Sequence, residues 1–324
     1  MRLAPFLVVP LALFAFASVD RSRPDPAGPI TATPIALDRD APGRVDVGAL
    51  RFLGGWVLRS PNRDFGGLST MVADAAGQFL AISDAGTAFR FRMGASGIAA
   101  PYLIRALPGT GGPKERNDTE SMAVDPRTGQ VWVGYEVRNG VRRFDARLTR
   151  IEAGLAPAAM GEWSAVTGPE SMERLRDGRF VILSENMPIP GTDRAKEALL
   201  FSGDPTNPHT RVVRFGYRAP APGFWPTDLR QLPDGRLLVL HRKVSLRDGV
   251  SALLAILDPA TIRPGRIVTG RAIARLRNPL VIDNMEALAV TRESGRTIVW
   301  IASDDNFWWL QQTLLLKFAL RDGV

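Results

Sequence analysis

A short pattern recurs five times along the chain of 324 residues, and no other sequence feature constrains the fold so strongly. Each copy has a short strand-like segment, a turn that contains glycine, and then an apolar segment, as in "ESMERLRDGRFVILSE" at residues 170–185. Asp-Gly pairs and similar turn residues accept the tight backbone angles of a hairpin. Each copy is therefore predicted to form a β-hairpin, and the copies are anchored 50 to 59 residues apart on Leu68, Met122, Met172, Leu229 and Leu288.

More strands follow each hairpin. Third strands are predicted in "TAFRFRM", "GVRRFDA", "EALLFSG" and "SALLAILD", and fourth strands in "RVVRFGYR" and "RIVTGRAIARL". Four antiparallel strands in a unit that repeats about every 50 residues are typical of a β-propeller. We therefore predict an all-β propeller of four-stranded antiparallel blades, with a sandwich or a β-helix as the alternative.

The two ends of the chain are predicted to meet in one blade. The last repeat has a third strand, "TLLLKFALR", and the chain then ends. Its fourth strand must come from the N-terminal region, where "GALRFLGGWVLRS" is available, and such closure removes free sheet edges. The repeats predict five blades, and residues 30–52 leave room for part of a sixth.

The N-terminus resembles an export signal. Met1-Arg2 is followed by "LAPFLVVPLALFAFA", which ends in the small-x-small sequence of a cleavage site. We predict a signal peptide at residues 1–17 with cleavage after Ala17, a Pro-rich tether and lead-in at 18–44, and one propeller domain at 45–324. An uncleaved anchor is the alternative, although the run is short for a membrane span. The expected location is periplasmic or secreted, with no membrane span after cleavage.

Composition excludes some classes of site and partner. The chain has no cysteine, so a disulfide framework and a thiolate metal site are both impossible. The net charge is +8, but the arginines are scattered singly, without dense runs or interleaved aromatic residues. Nucleic-acid binding needs a concentrated basic patch. We therefore expect no nucleic-acid partner.

Carboxylates precede the anchor residue in several repeats. Glu120, Glu170 and Glu286 hold equivalent positions, and Asp228 stands one position along. In a propeller these side chains converge on the central channel, where several close carboxylates need a cation or raised pKa values. Oxygen ligands of this kind suit Ca²⁺, whereas zinc is disfavoured by the absence of cysteine and the presence of two histidines only. The four residues are predicted metal ligands; the alternatives are blade-locking hydrogen bonds to the backbone, or acid/base duty without a metal.

A second set of polar residues follows the second strand of each repeat. His241 is the imidazole at such a position and is a candidate general acid or base, or else a histidine that caps a strand end. Arg242 is a candidate anion-binding residue, and Asp304 is a third catalytic candidate. The sequence leaves open whether this set lies on the same face as the glutamates. The remaining candidates for the channel mouth are Asp84, Glu136, Glu185 and Asp305.

The aromatic sequence "NFWWLQQ", residues 306–312, follows the last of these acidic positions. We expect Phe307, Trp308 and Trp309 to pack between blades. The alternative is an exposed apolar patch on the rim of the channel, which would suit a binding partner.

Several segments together resemble a known family. They are "TGPESMERLRDGRFVILSEN", "WPTDLRQLPDGRLLVLHRK" and "NMEALAV", with the segments before and after them from about Gly48 onward. They are similar to the family described as "esterase-like activity of phytase". The resemblance implies an exported bacterial β-propeller that hydrolyses phosphoesters or carboxylesters, and it supplies no catalytic set. Calcium-dependent propeller phytases and gluconolactonase-like propellers are looser analogies.

These observations lead to one functional expectation with two alternatives. We expect a monomeric exported hydrolase that acts on a small anionic ester with the help of Ca²⁺ at the central channel. The first alternative is a non-catalytic propeller that binds a ligand or an envelope protein. The second is a lactonase.

Overall fold

The computed structural model describes residues 30–74, 76–94, 97–110, 118–165, 168–245 and 249–324. The predicted signal peptide and the first part of the predicted tether lie outside the described residues. Within these ranges, no helical segment is long and apolar enough to cross a membrane. The described helices are short 3₁₀ segments, Ala158–Met160 and Pro259–Thr261.

The described strands form five antiparallel sheets around one axis, so the predicted propeller is confirmed. Three strands precede the first blade along the chain: β1 (Thr31–Ile35), β2 (Asp46–Val47) and β3 (Leu50–Arg59). Blade 1 contains β4 (Leu68–Ala73), β5 (Gln78–Ser83), β6 (Thr87–Gly94) and β7 (Gly97–Ala106). Blade 2 contains β8 (Thr119–Val124), β9 (Val131–Tyr135), β10 (Gly140–Phe144) and β11 (Ile151–Leu155).

Blades 3 to 5 repeat the same up-and-down order. Blade 3 contains β12 (Pro169–Arg174), β13 (Phe180–Pro188), β14 (Lys196–Phe201) and β15 (Val212–Arg218). Blade 4 contains β16 (Trp225–Gln231), β17 (Leu237–Ser245) and β18 (Gly249–Leu257), and then β19 (Ile267–Thr269) and β20 (Arg271–Arg277) follow along the chain. Blade 5 contains β21 (Asn284–Glu293), β22 (Arg296–Asp304) and β23 (Thr313–Leu320).

The N-terminal strands close the ring by completing blade 5. β3 pairs antiparallel with β23, in a register that places Leu58 opposite Thr313 and Leu50 opposite Leu320. β1 and β2 then pair with the outer edge of β3. The predicted closure is confirmed, and residues 30–52 extend the fifth blade instead of starting a sixth.

The predicted fourth strand "RIVTGRAIARL" divides in two. β19 adds parallel to β15 at the outer edge of blade 3, whereas β20 pairs with β18 as the fourth strand of blade 4. Gly270 separates the two strands and packs against Ala255. The predicted strand is therefore shared between blades 3 and 4, a division that a strand pattern alone cannot predict.

The hydrophobic core lies between neighbouring blades. The second strands are buried on both faces, as their apolar sequences predicted. Trp132 of blade 2 meets Phe180 of blade 3 edge to face at 5.0 Å, and Phe79 of blade 1 meets Trp300 of blade 5 in the same way at 4.9 Å. Each such side chain contributes about 1.5–3 kcal/mol by leaving water. Blade-to-blade packing of this kind holds the five innermost strands around a narrow channel.

Candidate functional site

Each innermost strand carries a β-bulge at its first residues. One residue per blade is skipped in the pairing with the second strand, because the register shifts there in all five hairpins. A bulge leaves the extra residue unpaired and re-aims its side chain. The five bulge residues hold equivalent positions near the axis: Ser69, Glu120, Glu170, Thr227 and Glu286.

This register corrects one part of the sequence alignment. In blade 1 the residue equivalent to Met122 is Met71, not Leu68. In blade 4 the residue equivalent to the glutamates is Thr227, as in the sequence alignment, and Asp228 stands one residue along. Since successive side chains of a strand point to opposite sides, the offset changes where Asp228 points.

The residues that follow the second strands lie at the same end of the channel as the bulges. In an antiparallel hairpin the start of one strand adjoins the end of its partner, so the face that the sequence left open is determined. These residues are also equivalent in all five blades: Asp84, Glu136, Glu185, Arg242 and Asp304. We call the two sets together, with Asp118, the acidic mouth.

Arg242 neutralises one side of the acidic mouth. Its two terminal nitrogens each lie 3.0 Å from a carboxylate oxygen, one of Glu185 and one of Glu286. Asn284 accepts a hydrogen bond from Arg242 at 3.1 Å and donates one to Glu286 at 2.8 Å. Burial lowers the pKa of Arg242, but the surrounding glutamates, Glu286 first, outweigh it and raise that pKa overall. The guanidinium is therefore permanently charged.

The other side of the acidic mouth concentrates carboxylates. Asp118, Glu120 and Glu136 each offer an oxygen within 4.8 Å of the others. Burial raises the pKa of Glu120 well above its ordinary value, and the charged neighbours that add to this rise, Glu170 first, are all carboxylates. Burial, and then the charge of Asp118, raise the pKa of Glu136 to about 8. These three residues form the candidate metal site.

Gly168 shapes this site from the neighbouring blade. Its backbone N–H donates to Glu136 Oε1 at 3.3 Å. A Cβ at position 168 would lie 2.6 Å from the Cα of Glu136, so a larger residue would displace that strand end. The close approach of the two backbones explains why glycine precedes Pro169 here, and it holds Glu136 in place.

Buried carboxyl groups also lie in the remaining part of the acidic mouth. Glu170, Glu286 and Asp304 are 5%, 6% and 3% exposed. Burial, and then the charge of Glu185, raise the pKa of Glu170 well above its usual range, and burial followed by the charge of Glu286 does the same to Asp304. Burial and neighbouring negative charge both favour the protonated form of a carboxyl group, and a bound cation would oppose them.

Asp228 lies deeper in the channel, away from the acidic mouth. It is fully buried and pairs with Arg230, whose nitrogens lie 2.9 Å and 3.1 Å from the two carboxylate oxygens. Asp228 also accepts the backbone N–H of Leu288 at 2.9 Å, while Arg230 donates to the backbone oxygens of Met71 at 3.0 Å and Met172 at 3.2 Å. The Asp228–Arg230 pair thus joins blades 1, 3, 4 and 5 across the axis, and the structure does not bring Asp228 to the predicted metal ligands.

His241 lies inside blade 4. It is fully buried, with Nε2 at 2.7 Å from the hydroxyl of Tyr217 and Nδ1 at 3.0 Å from the backbone oxygen of Leu253. Burial lowers its pKa to about 4. His241 and Arg242 are successive residues of β17, so their side chains point to opposite sides: His241 contacts Tyr217 of blade 3, whereas Arg242 reaches the acidic mouth.

Asp305 connects blades 5 and 1 from a loop. Its carboxylate accepts the backbone N–H of Gly67 at 2.9 Å and the hydroxyl of Thr313 at 2.7 Å. It therefore lies beside the acidic mouth and not in the ring.

Asp118 and Asn284 were missed by the sequence analysis. Both stand two residues before a bulge glutamate, and that shared spacing is the signal that would have found them.

Two adjoining cavities open at the opposite end of the channel. Their volumes are about 880 Å³ and 890 Å³, and they share Arg176 and Gln231. Trp56, Phe79 and Trp300 line the first cavity. None of the site residues predicted from the sequence lines either cavity.

Comparison with known proteins identifies the family. The model of the family described as "Phytase-like: Esterase-like activity of phytase" matches residues 63–307, which include all five hairpins. The chain belongs to this phytase-like family. The resemblance inferred from the sequence is thereby confirmed, and the family description indicates a hydrolase-type β-propeller. No curated protein matches the chain.

Solved structures share the phytase-like chain's architecture only distantly. The β-propeller domain of Myceliophteria thermophila Cps50 (Swd1) is 14% identical over 74% of this chain and 63% of that one, with a TM-score of 0.38. Kuenenia stuttgartiensis hydrazine synthase is 12% identical over 75% and 58%, with a TM-score of 0.37. The Neurospora crassa Pan2 WD40 domain is 12% identical over 86% and 98%, with a TM-score of 0.41. The matched region spans less than two thirds of the first two chains, and these likenesses say nothing about function.

Proposed function

We propose that this phytase-like protein hydrolyses small anionic esters, phosphoesters foremost, with the help of Ca²⁺ bound at the acidic mouth. The observation that supports this proposal is the group formed by Asp118, Glu120 and Glu136, whose oxygens lie within 4.8 Å of one another. The charged neighbours that raise the pKa of Glu120 are all carboxylates. A hard divalent cation would compensate this concentration of negative charge.

The donor set fits calcium. All three side chains offer carboxylate oxygens, which Ca²⁺ prefers, and each is able to bind through one oxygen or two. Metal ligands must be deprotonated, so cation binding would release the protons that the raised pKa values retain. Affinity is therefore expected to increase with pH through about 8, the pKa of Glu136.

Two of the chain's own residues supply further parts of the proposed reaction. Arg242 places a permanent positive charge at the acidic mouth, where it favours the approach of an anionic ester. Burial and the charge of Glu286 raise the pKa of Asp304, which favours its protonated form and makes it the candidate to protonate the departing alcohol. When bound, Ca²⁺ would supply charge neutralisation at the ester oxygen and a more acidic water. His241 takes no part, since its ring nitrogens are engaged by Tyr217 of blade 3 and by the backbone of Leu253 in blade 4.

The decisive experiment combines metal analysis with a substrate panel. The purified full chain is analysed for bound metal and assayed on 4-nitrophenyl phosphate, 4-nitrophenyl acetate and gluconolactone, with Ca²⁺ or with EGTA. Glu120→Gln is the test variant, and Glu162→Gln is the matched control because Glu162 is exposed and outside the acidic mouth. We expect phosphate-ester hydrolysis that EGTA and Glu120→Gln both abolish and that the control retains.

Other outcomes would replace the proposal. Calcium binding without turnover on any substrate would leave a calcium-binding propeller that is not a hydrolase. Hydrolysis of gluconolactone alone would establish a lactonase. Ester hydrolysis that neither EGTA nor Glu120→Gln affects would place the reaction elsewhere in the molecule.

A further inference from the structure

Four consecutive apolar side chains are exposed in the loop between β22 and β23. Phe307, Trp308, Trp309 and Leu310 are 37%, 48%, 84% and 55% exposed. The structure thus contradicts the expected packing of these aromatic residues between blades. A run of exposed apolar residues lowers solubility and is retained where it serves binding.

The loop backbone is held in a strained form that keeps these side chains outward. Asn306 and Phe307 have positive φ angles of 48° and 50°, a conformation that residues other than glycine adopt rarely and at a cost. Hydrogen bonds offset this strain: Asp304 accepts the backbone N–H of Asn306 at 2.6 Å, and Asp305 accepts that of Phe307 at 3.1 Å. Strain that two such hydrogen bonds offset indicates a preorganised surface and not a loose loop.

A third connection fixes the far end of the loop. The side chain of Gln311 donates to Asp283 at 3.0 Å and accepts from Asn306 at 3.0 Å. Both ends of the aromatic run are therefore tied to the frame of blade 5. The two tryptophans project from a fixed base, which lowers the entropy cost of binding a ligand.

This loop borders the acidic mouth. It begins directly after Asp304, and the ring of Phe307 packs over Gly67. A Cβ at Gly67 would lie 2.5 Å from the Phe307 ring and 2.7 Å from an oxygen of Asp84, so a single glycine separates the aromatic loop from an acidic-mouth carboxylate. A ligand that occupies the acidic mouth beside Asp84 would therefore lie next to Phe307, the first aromatic residue of the loop.

The size and charge of the surface favour a small ligand. From the exposed fractions, the four side chains offer on the order of 400 Å², about half of the roughly 800 Å² that each partner of a stable protein complex buries. The adjoining carboxylates of Asp283 and Asp305 repel anionic surfaces such as acidic bilayers. They favour a neutral or cationic group, and exposed aromatic rings bind planar rings by stacking.

We propose that residues 306–310 form a stacking platform for the alcohol part of the ester substrate. The preferred substrates are then esters whose alcohol carries a planar ring without negative charge, such as a phenyl group. This inference rests on the proposed ester hydrolysis at the acidic mouth and specifies its substrate class. Trp309 is a specificity-determining residue that touches the ring and not the reacting ester.

The test compares a ring substrate with a small alkyl substrate on the full chain loaded with Ca²⁺. Trp309→Ala is expected to raise the KM for phenyl phosphate about fivefold, the size of one lost aromatic contact, and to leave glycerol 2-phosphate unchanged. Trp309→Phe retains a ring and should keep most of the affinity. Leu53→Ala is the control for loss of an exposed apolar side chain, because Leu53 is 39% exposed but lines the cavity at the opposite end of the channel. Equal changes for both substrates, or none for either, would overturn the platform.

A binding measurement separates the platform from the hydrolase proposal. Phenylphosphonate and methylphosphonate, which lack a hydrolysable ester, are titrated against tryptophan emission in the wild type and in Trp309→Ala. Saturable binding of phenylphosphonate that Trp309→Ala weakens about fivefold supports the platform even if no ester is turned over. Absence of that binding in the wild type overturns it.

Two further measurements identify other occupants of the surface. Sedimentation velocity detects a dimer, and flotation with phosphatidylcholine vesicles detects membrane binding. A dimer or a vesicle-bound form that Trp309→Ala abolishes would show that a second copy or a bilayer covers the loop, and the stacking platform would be rejected.

Discussion

The acidic mouth and the Asp228–Arg230 pair both bury carboxylates along one channel, but the surroundings of those carboxylates differ. Asp228 meets a guanidinium at 2.9 Å and a backbone N–H at 2.9 Å. Glu120 has only carboxylates among the charged neighbours that raise its pKa. Asp228 thus has a cationic partner inside the channel, whereas Glu120 lies in a concentration of negative charge that the proposed Ca²⁺ would offset.

The difference arises because Asp228 stands one residue after the bulge position of the β16–β17 hairpin, whereas Glu120 occupies the bulge position of its own hairpin. Thr227 occupies the bulge position that glutamate holds in three other blades, and Asp228 occupies the next position. That position faces the channel interior, where Arg230 reaches the backbone of blades 1 and 3. Two carboxylates in nearly identical sequence contexts therefore have different tasks: one stabilises the ring of blades, and the other belongs to the candidate site.

The largest expected effect comes from removing the charge that compensates Asp228. Arg230→Met would leave a buried carboxylate without its partner and four blades without their shared donor. Breaking a buried ion pair from one side costs about 3–5 kcal/mol. We expect a loss of that size in the free energy of unfolding, measured by urea denaturation with EGTA present.

The double variant provides the control for this prediction. Asp228→Asn removes the charge but keeps an oxygen for the N–H of Leu288, so Asp228→Asn with Arg230→Met should recover most of the lost stability. A single Arg230→Met variant as stable as the wild type would show that the pair does not hold the blades together.

The second prediction concerns the side of the acidic mouth formed by Asp118, Glu120 and Glu136. Glu120→Gln should lower calcium affinity on the order of 100-fold, because affinity follows the number of charged ligands. Glu286→Gln should lower it much less, since Glu286 already pairs with Arg242 at 3.0 Å. Isothermal titration calorimetry of both variants measures the difference. Equal losses would show that the metal contacts both sides of the acidic mouth.

Much of the fold was predictable because it depends on local chemistry. The five turns contain glycine at positions of positive φ, including Gly178 at 90° and Gly235 at 94°, and apolar strands flank each turn. The closure of the last blade by "GALRFLGGWVLRS" was predictable because the last repeat has three strands and needs a fourth. The point at which the chain passes from the sheet of blade 3 to that of blade 4 was not predictable. β19 and β20 are adjacent in the sequence, and the strands with which they pair, β15 and β18, belong to different blades.

The candidate site was predictable in its residue types but not in its geometry. Glu120 and Glu136 were both identified, yet their grouping with Asp118 depends on a bulge, and a bulge is a property of the pairing register. Asp228 was included with the glutamates although it stands one residue beyond the shared position, and that one residue turns its side chain away from the acidic mouth. His241 was selected in a similar way, although its neighbour Arg242 is the residue that reaches the acidic mouth.

The third prediction uses pH to test the raised pKa of Glu136 in the acidic mouth. The pKa of Glu136 rises from 4.5 to about 8 on folding, so the folded state binds more protons than the unfolded state between these values. Stability of the metal-free protein therefore falls as pH increases through this window. Thermal melts in EGTA from pH 4.5 to 8 should show the decline, and Glu136→Gln should reduce it. Added Ca²⁺ should restore more stability at pH 8 than at pH 5. A melting temperature that increases steadily with pH in EGTA would contradict the raised pKa.

The smallest expected effect tests the structural part of His241. Replacing it by Phe removes one hydrogen bond to the hydroxyl of Tyr217 and one to the backbone oxygen of Leu253, at a cost of about 1–2 kcal/mol.

The histidine has a pKa of about 4 in the folded protein and an ordinary value of 6.5. The unfolded state therefore binds more protons between these values, and the contribution of His241 to stability is lost as pH falls from 6.5 to 4. Urea denaturation of His241→Phe should show a stability deficit at pH 7 that shrinks toward pH 4, with kcat on 4-nitrophenyl phosphate unchanged. Tyr217→Phe should reproduce part of the deficit, because it removes the same hydrogen bond from the other side. A fall in kcat without loss of stability would instead show that His241 takes part in the reaction, and the active site would then have to include His241.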